Sequence, residues 1–247
     1  MKKIEAVILF SLCFIQFSFS QKIVKNGLSE VDLKGNVKSA KVYTYVHTPA
    51  DTNHLVDKTI MYFDKSGNII ELRSHLEDVI RSKKITFKLD HAGRLFKEDI
   101  YTHDTISDWV TCRYDDRTDL MMQMHHFSKT DSVLESVRKF DANGNVTELT
   151  FYQMDGGLGA RFIFTFNEKG NKTEWDVYKG DSIEHKHLYQ YNTHNEEGVE
   201  TVYKSNGVLL NTYTYEYEFD AMGNWTKKTR FENSVASQIL EREIEYY

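Results

Sequence analysis

One short motif returns along the chain at a nearly fixed interval, and it limits the possible folds more than any other feature. The segment Tyr62-Phe63-Asp64-Lys65-Ser66-Gly67-Asn68 recurs as Leu89-Asp90-His91-Ala92-Gly93-Arg94, Phe140-Asp141-Ala142-Asn143-Gly144-Asn145, Phe166-Asn167-Glu168-Lys169-Gly170-Asn171 and Phe219-Asp220-Ala221-Met222-Gly223-Asn224. Degenerate copies stand at Tyr114-Asp115 and Tyr191-Asn192, and a partial one, Leu33-Lys34-Gly35-Asn36, precedes the series. The Asp or Asn falls at 64, 90, 115, 141, 167, 192 and 220, in steps of 26, 25, 26, 26, 25 and 28 residues. Such a period means that one supersecondary unit packs beside copies of itself.

The motif carries the chemistry of a tight turn. Asp or Asn accepts hydrogen bonds from backbone groups two residues on, and Gly supplies a positive φ. The flanking aromatic and β-branched residues favour strands. A second class of turn lies midway, as at Lys129-Thr130-Asp131-Ser132, Lys179-Gly180-Asp181-Ser182 and Lys204-Ser205-Asn206-Gly207. Each period therefore holds two strands and two turns. The expected fold is all-β: an antiparallel up-and-down meander of about 16 strands in about seven hairpin repeats. Tyr213, Tyr215, Tyr217 and Phe219 alternate with polar residues, as do Phe162, Phe164 and Phe166, so one face is apolar. That face must be covered, which predicts a curled or spiral sheet packed on itself.

The first residues set an address. Met1-Lys2-Lys3, the apolar run from Ala6 to Phe19 and the small residues Ser18 and Ser20 have the form of a signal peptide over residues 1–20. Residues 21–247 then form a single β-hairpin repeat domain. Leu12 stands where lipid attachment at Cys13 would need a small residue. After cleavage, without Lys2, Lys3 and Glu5, 29 basic residues face 36 acidic ones, scattered along the chain. That pattern lacks the basic footprint of a nucleic-acid binder, and no integral membrane span is expected. Only Cys112 remains, so no internal disulfide can form. The address is the periplasm, the outer surface or the exterior.

The run Tyr-x-Phe-Asp-x-x-Gly-Asn at 217–224, with its relatives at 62–68 and 138–145, resembles the YD repeat of RHS-type proteins. The resemblance covers most of residues 33–232 and implies a spiralling β-sheet. In long members of that family the sheet closes into a shell around a cargo, but this chain is too short for that role. The signal-like start and the Asn-, Lys- and Tyr-rich composition are similar to small secreted proteins of Bacteroidota.

Candidate sites are sparse. The loop at 141–145 offers closely spaced oxygens, but its Gly is fourth, not sixth as in a calcium-binding EF-hand. His185 and His187 share a strand face without a third ligand at recognisable spacing, so no metal is expected. Asp155-Gly156-Gly157-Leu158-Gly159 runs into a strand, whereas a phosphate loop needs a helix. Cys112 has no catalytic context, and no cofactor is implied. Trp225, just after a turn, and Trp109 are candidate stacking platforms, with His125 and His126 in a stretch where the repeat degenerates. Function is expected where the repeat rule lapses, around 114–126 and 191–200. The reading is a secreted, non-enzymatic binding module for a glycan or a protein. A polysaccharide hydrolase using paired carboxylates, and a structural envelope component pairing through edge strands, are the alternatives.

Overall fold

In a computed structural model, the described residues are 27–47, 54–76, 81–102, 104–115 and 117–247. The segment read as a signal peptide lies outside them. A four-residue helix, α1 (Gly27–Glu30), precedes sixteen strands. The first eight are β1 (Val37–Val46), β2 (His54–Phe63), β3 (Ile69–Leu76), β4 (Arg81–Leu89), β5 (Leu95–Thr102), β6 (Thr105–Asp115), β7 (Leu120–His126) and β8 (Ser132–Phe140). The second eight are β9 (Val146–Tyr152), β10 (Leu158–Phe166), β11 (Lys172–Lys179), β12 (Ser182–Tyr191), β13 (Glu197–Lys204), β14 (Leu209–Phe219), β15 (Trp225–Glu232) and β16 (Val235–Tyr246).

Every strand pairs antiparallel with its neighbours in sequence, and β1 pairs with β16. The sheet is therefore a closed barrel, which corrects the expected curled or spiral sheet. The register from Val37↔Tyr246 to Val46↔Gln238 satisfies the last free edges. Closure removes both edges at once, a more complete solution than curling. Pairing through free edge strands, the structural alternative, loses its basis.

The motif turns behave as the sequence predicts. In the first, Asp64 Oδ1 accepts from the amides of Ser66 (2.8 Å) and Asn68 (2.9 Å), while Gly67 lies at φ +82°. Asn167 does the same work in the fourth copy. The copy at 192, degenerate in sequence, keeps the regular turn. Asn195 takes the glycine place at φ +68°, and Asn192 N donates to Glu196 O at 2.8 Å, as in the regular copies. Asn tolerates this left-handed conformation better than most residues.

After six of these turns the next strand carries one extra residue, a β-bulge. Tyr62 pairs with Glu71 but Phe63 with Ile69, and the same shift recurs at Leu89, Phe140, Phe166, Tyr191 and Phe219. Each bulge turns two residues three apart to the inside, for example Ile69 and Leu72, or Glu197 and Glu200.

Inside, Phe63, Leu95, Met121 and Leu149 are almost wholly buried in one continuous apolar cluster. Outside, the wall is laced with ion pairs. Lys41 meets Glu243 across the closure (3.0 Å), Lys88 and Lys97 hold Asp99 (2.7 and 2.5 Å), and Arg161 meets Glu148 (3.4 Å). Exposed pairs contribute little stability. They do fix the polarity of the wall, because charges at mid-strand are costly on a lipid-facing band. The outer wall of this barrel is charged at mid-strand, unlike the lipid-facing band of a membrane-spanning one.

The segment before β1 clasps the closure from below, at the motif-turn end. Leu28 N donates to Gly67 O (2.9 Å), and Arg242 Nη2 donates to Val31 O (3.3 Å). Leu28 and Leu33 are buried, and a Cβ on Gly27 would lie 2.5 Å from Ile69, so only glycine lets the helix seat there. Asn224, 1% exposed, grips Lys34 from both sides. Its Oδ1 accepts from Lys34 N (2.7 Å), and its Nδ2 donates to Lys34 O (3.0 Å) and to Tyr246 Oη (2.7 Å). Replacing Asn224 with Ala leaves several buried polar groups unmatched. We expect Asn224→Ala to lower stability by about 2–3 kcal/mol in urea titrations. Hydrogen exchange should quicken first in residues 33–46 and 235–246. Equal loss of protection around the whole barrel would rule out a clasp at the closure.

A candidate ligand site on the inner wall

The strands β11–β15 present an inner wall unlike the rest. Register brings Trp175, His187 and Val202 into one row, and Tyr189, Glu200 and Tyr213 into the next. Tyr215 faces Arg230, and Tyr217 faces Lys228. Alternation places Tyr213, Tyr215 and Tyr217 on the lumen side, where all three are only half-buried.

Glu200 is the centre of this wall. One oxygen accepts from His187 Nδ1 (2.7 Å) and Tyr189 Oη (3.2 Å), and the other accepts from Tyr215 Oη. Burial pushes its pKa up, but the His187 and Tyr215 hydrogen bonds and the nearby cations outweigh it, so the carboxyl sits below its ordinary range. Glu197, carried inward by the bulge, pairs with Lys228 (2.9 Å), and its pKa too ends lowered: burial opposes, but Lys228 and Lys172 prevail. Lys228 Nζ lies 4.6 Å from the Tyr215 ring centre, and Lys172 Nζ lies 4.5 Å from that of Tyr189. Burial pulls Lys172 below its usual pKa, against the attraction of Glu197 and Glu200. His187 stacks on Trp175 at 4.5 Å, and Arg230 sits 4.6 Å over Tyr213. Asn211 Nδ2 donates to Tyr213 Oη (2.9 Å) and to Glu232 (2.5 Å). The result is a wall of aromatic faces interleaved with fixed donors and ionised acceptors.

Of the site residues expected from sequence, Trp109 and His126 meet, but Trp225 and His125 lie elsewhere. Trp225 is buried, not exposed, in the inner wall; the guanidinium carbon of Arg242 lies 3.4 Å from its ring centre. The bulge after the 220–224 turn brings it there. Trp109 and His126 lie on the outer wall, stacked at 5.2 Å, whereas His125 points inward and stacks on Phe127 at 4.4 Å. His185 and His187 both face in, but Ile183 pairs with Tyr178 through a bulge and leaves their face. Among the described residues no cluster of His, Cys, Asp and Glu could hold a metal ion. Sequence reasoning missed Lys172, Glu200, Lys228 and Arg230 as a group. The signal in the sequence, Lys228, Arg230 and Glu232 at alternate positions, is one residue out of phase with Trp225 until the bulge is counted.

A second polar group lies eight strands away. Ser136 Oγ donates to Gln123 Oε1 (2.7 Å), and Gln123 Nε2 donates to Glu98 (3.1 Å). Burial, reinforced by Glu135, raises Glu98 to about 7, and burial pushes Cys112 up to about 12. That thiol is not a nucleophile. Between the ordinary value of 4.5 and about 7, folded Glu98 keeps a proton that the unfolded chain has lost. Stability therefore falls as pH rises through this window, by up to about 1.4 kcal/mol per unit. The variant Glu98→Gln should flatten that slope in urea titrations run at successive pH values. An unchanged slope would place its origin elsewhere.

No family profile matches the chain, and no curated protein matches it either. Solved structures give distant likenesses. A porin-like protein from Bacteroides uniformis is 11% identical, with 85% of this chain and 98% of that one covered and a TM-score of 0.41. A porin-like protein from Bacteroides vulgatus is 10% identical, with the same coverage and a TM-score of 0.40. The complex TcdB2-TccC3-Cdc42 is matched at 11% identity over 76% of this chain but only 12% of its own, with a TM-score of 0.27. Likenesses at this level assign no family.

Proposed function

We propose that this chain is an exported, non-enzymatic binding protein of the cell envelope, and that its lumen takes a saccharide against the β11–β15 wall. The half-buried ladder Tyr213, Tyr215 and Tyr217, set around the ionised Glu200, carries this reading. Sugar rings offer apolar faces to aromatic side chains, and their hydroxyls match fixed carboxylates and amines. The ladder of aromatic faces favours the glycan over the protein ligand.

The hydrolase alternative has less support. Paired-carboxylate hydrolysis needs one protonated acid beside one ionised carboxylate. Glu197 and Glu200 are both held ionised. Burial raises Glu98, Asp57 and Glu196: Glu98 is influenced by Glu135, Arg138, Lys83 and Gln123, Asp57 by Thr59, Lys58 and His75, and Glu196, at the motif-turn end, by Asp32, Lys34, Lys228 and Arg242.

The test is a glycan array followed by calorimetric titration of the best binder. Tyr215→Phe and Glu200→Gln should each weaken binding by about tenfold, the value of one buried hydrogen bond to a charged group. Trp109→Ala, on the outer wall, should leave affinity unchanged. An array without a binder, or affinity that depends on Trp109 and not on Glu200, would sink the proposal.

A further inference from the structure

The bore is finished differently at its two ends. Beside the motif turns the inward side chains are packed away: Phe63, Ile69, Leu95, Met121, Phe140 and Val146 are each no more than 5% exposed. At the opposite end, inward side chains near the turns stay open to water. Thr44, Lys83, His125, His185 and Gln238 are half-buried there, and Lys204 is exposed.

The segment before β1 completes the packed end. Leu28 and Leu33 belong to the apolar cluster, and Val31 packs against it. The segment is tied at the β2–β3 turn, where Leu28 N donates to Gly67 O (2.9 Å). It is tied again at the β14–β15 turn, where Lys34 Nζ donates to Gly223 O (2.9 Å). Between these anchors, Val31 O accepts from the inward Arg242 (3.3 Å), which also covers Trp225. Asp32 reaches the far strands. Burial raises the pKa of Tyr191, Tyr217 and Glu196, and in each the nearby charge of Asp32 adds to the shift. Residues 27–36 therefore run beneath the bore from β2 to the foot of β12–β14, under the lower end of the tyrosine ladder.

A bore with a floor is a cup, and whatever enters must leave by the same mouth. An open tunnel can thread a polymer and hold units in the middle of the chain. In a cup the chain would have to double back beside itself. Tyr213, Tyr215 and Tyr217 stand along one strand over about 13 Å, with Tyr213 nearer the mouth and Tyr217 nearer the floor. A chain lying along them meets Asp32 and Val31 at its tip.

We propose that the lumen takes the free end of a glycan chain and excludes the middle of a long one, with residues 27–36 as the floor that enforces this choice. The proposal rests on the saccharide reading of the β11–β15 wall, to which it adds the side of entry and the part of the chain that is bound.

Two measurements test it. The first uses the glycan linkage best bound on the array, as a polymer competing with its own short oligosaccharide. Inhibition should follow the number of chain ends and not the total mass, so partial hydrolysis of the polymer at constant mass should strengthen inhibition by about tenfold for a tenfold rise in ends. Inhibition that follows mass and ignores hydrolysis overturns the proposal and leaves the saccharide reading standing. An array without a binder takes down both. The second measurement is acrylamide quenching of Trp225 in the variant W109F/W175F. Adding G27V/L33S, which unseats the segment at Ile69 and in the apolar cluster, should raise quenching by about twofold or more, with the β-sheet signal in circular dichroism retained. Gly27→Ala alone, which disturbs only the seat on Ile69, should give a smaller rise and covers the case in which the heavier variant does not fold. Quenching that is already high with the segment in place, or that neither variant raises, shows that there is no floor and overturns the proposal.

Discussion

The pairing of β1 with β16 is the interaction on which everything else rests. A meander of sixteen strands has two edges, and each would present a row of unmatched amides and carbonyls. Joining them gives every strand two partners and divides the molecule into inside and outside. Only then does alternation along each strand acquire its meaning, with one row of side chains inward and the next outward. The clasp formed by Asn224 and Lys34 stabilises this one long-range contact, tying the segment before β1 to the turn before β15.

Much of the architecture is legible in the chain because its turns are local. Asp64, Gly67 and their counterparts announce each hairpin, and the 26-residue spacing announces the number of strands. Closure is not legible in the same way. It depends on Val37 meeting Tyr246, and no local pattern distinguishes a sheet that closes from one that curls. The bulges are hidden too. Simple alternation puts Trp175 in phase with Thr173, yet the extra residue sends Thr173 outward and brings Lys172 inside. The same slip carries Trp225 and Glu197 to the interior. The charged inner wall is therefore masked in the sequence by a one-residue phase change, repeated at six turns.

The inner wall also shows how a barrel can bury charge without an apolar penalty at each site. Glu200 is matched by His187, Tyr189 and Tyr215, and Glu197 by Lys228. Cations lie over ring faces, which partly replace lost water. Breaking one member leaves the others unmatched, so such a network is costly to alter and holds its geometry before any ligand arrives. The apolar side of the barrel, by contrast, relies on close packing around Met121 and Leu149.

The repeat contributes strands two at a time, and this has a consequence for size. Adding or removing one hairpin leaves the strand number even, so the first and last strands still run antiparallel and can still close. Each such step changes the circumference by roughly 10 Å, two inter-strand spacings. A chain built this way can grow or shrink its bore in discrete increments by duplicating one short segment of gene, with its closing strands unchanged.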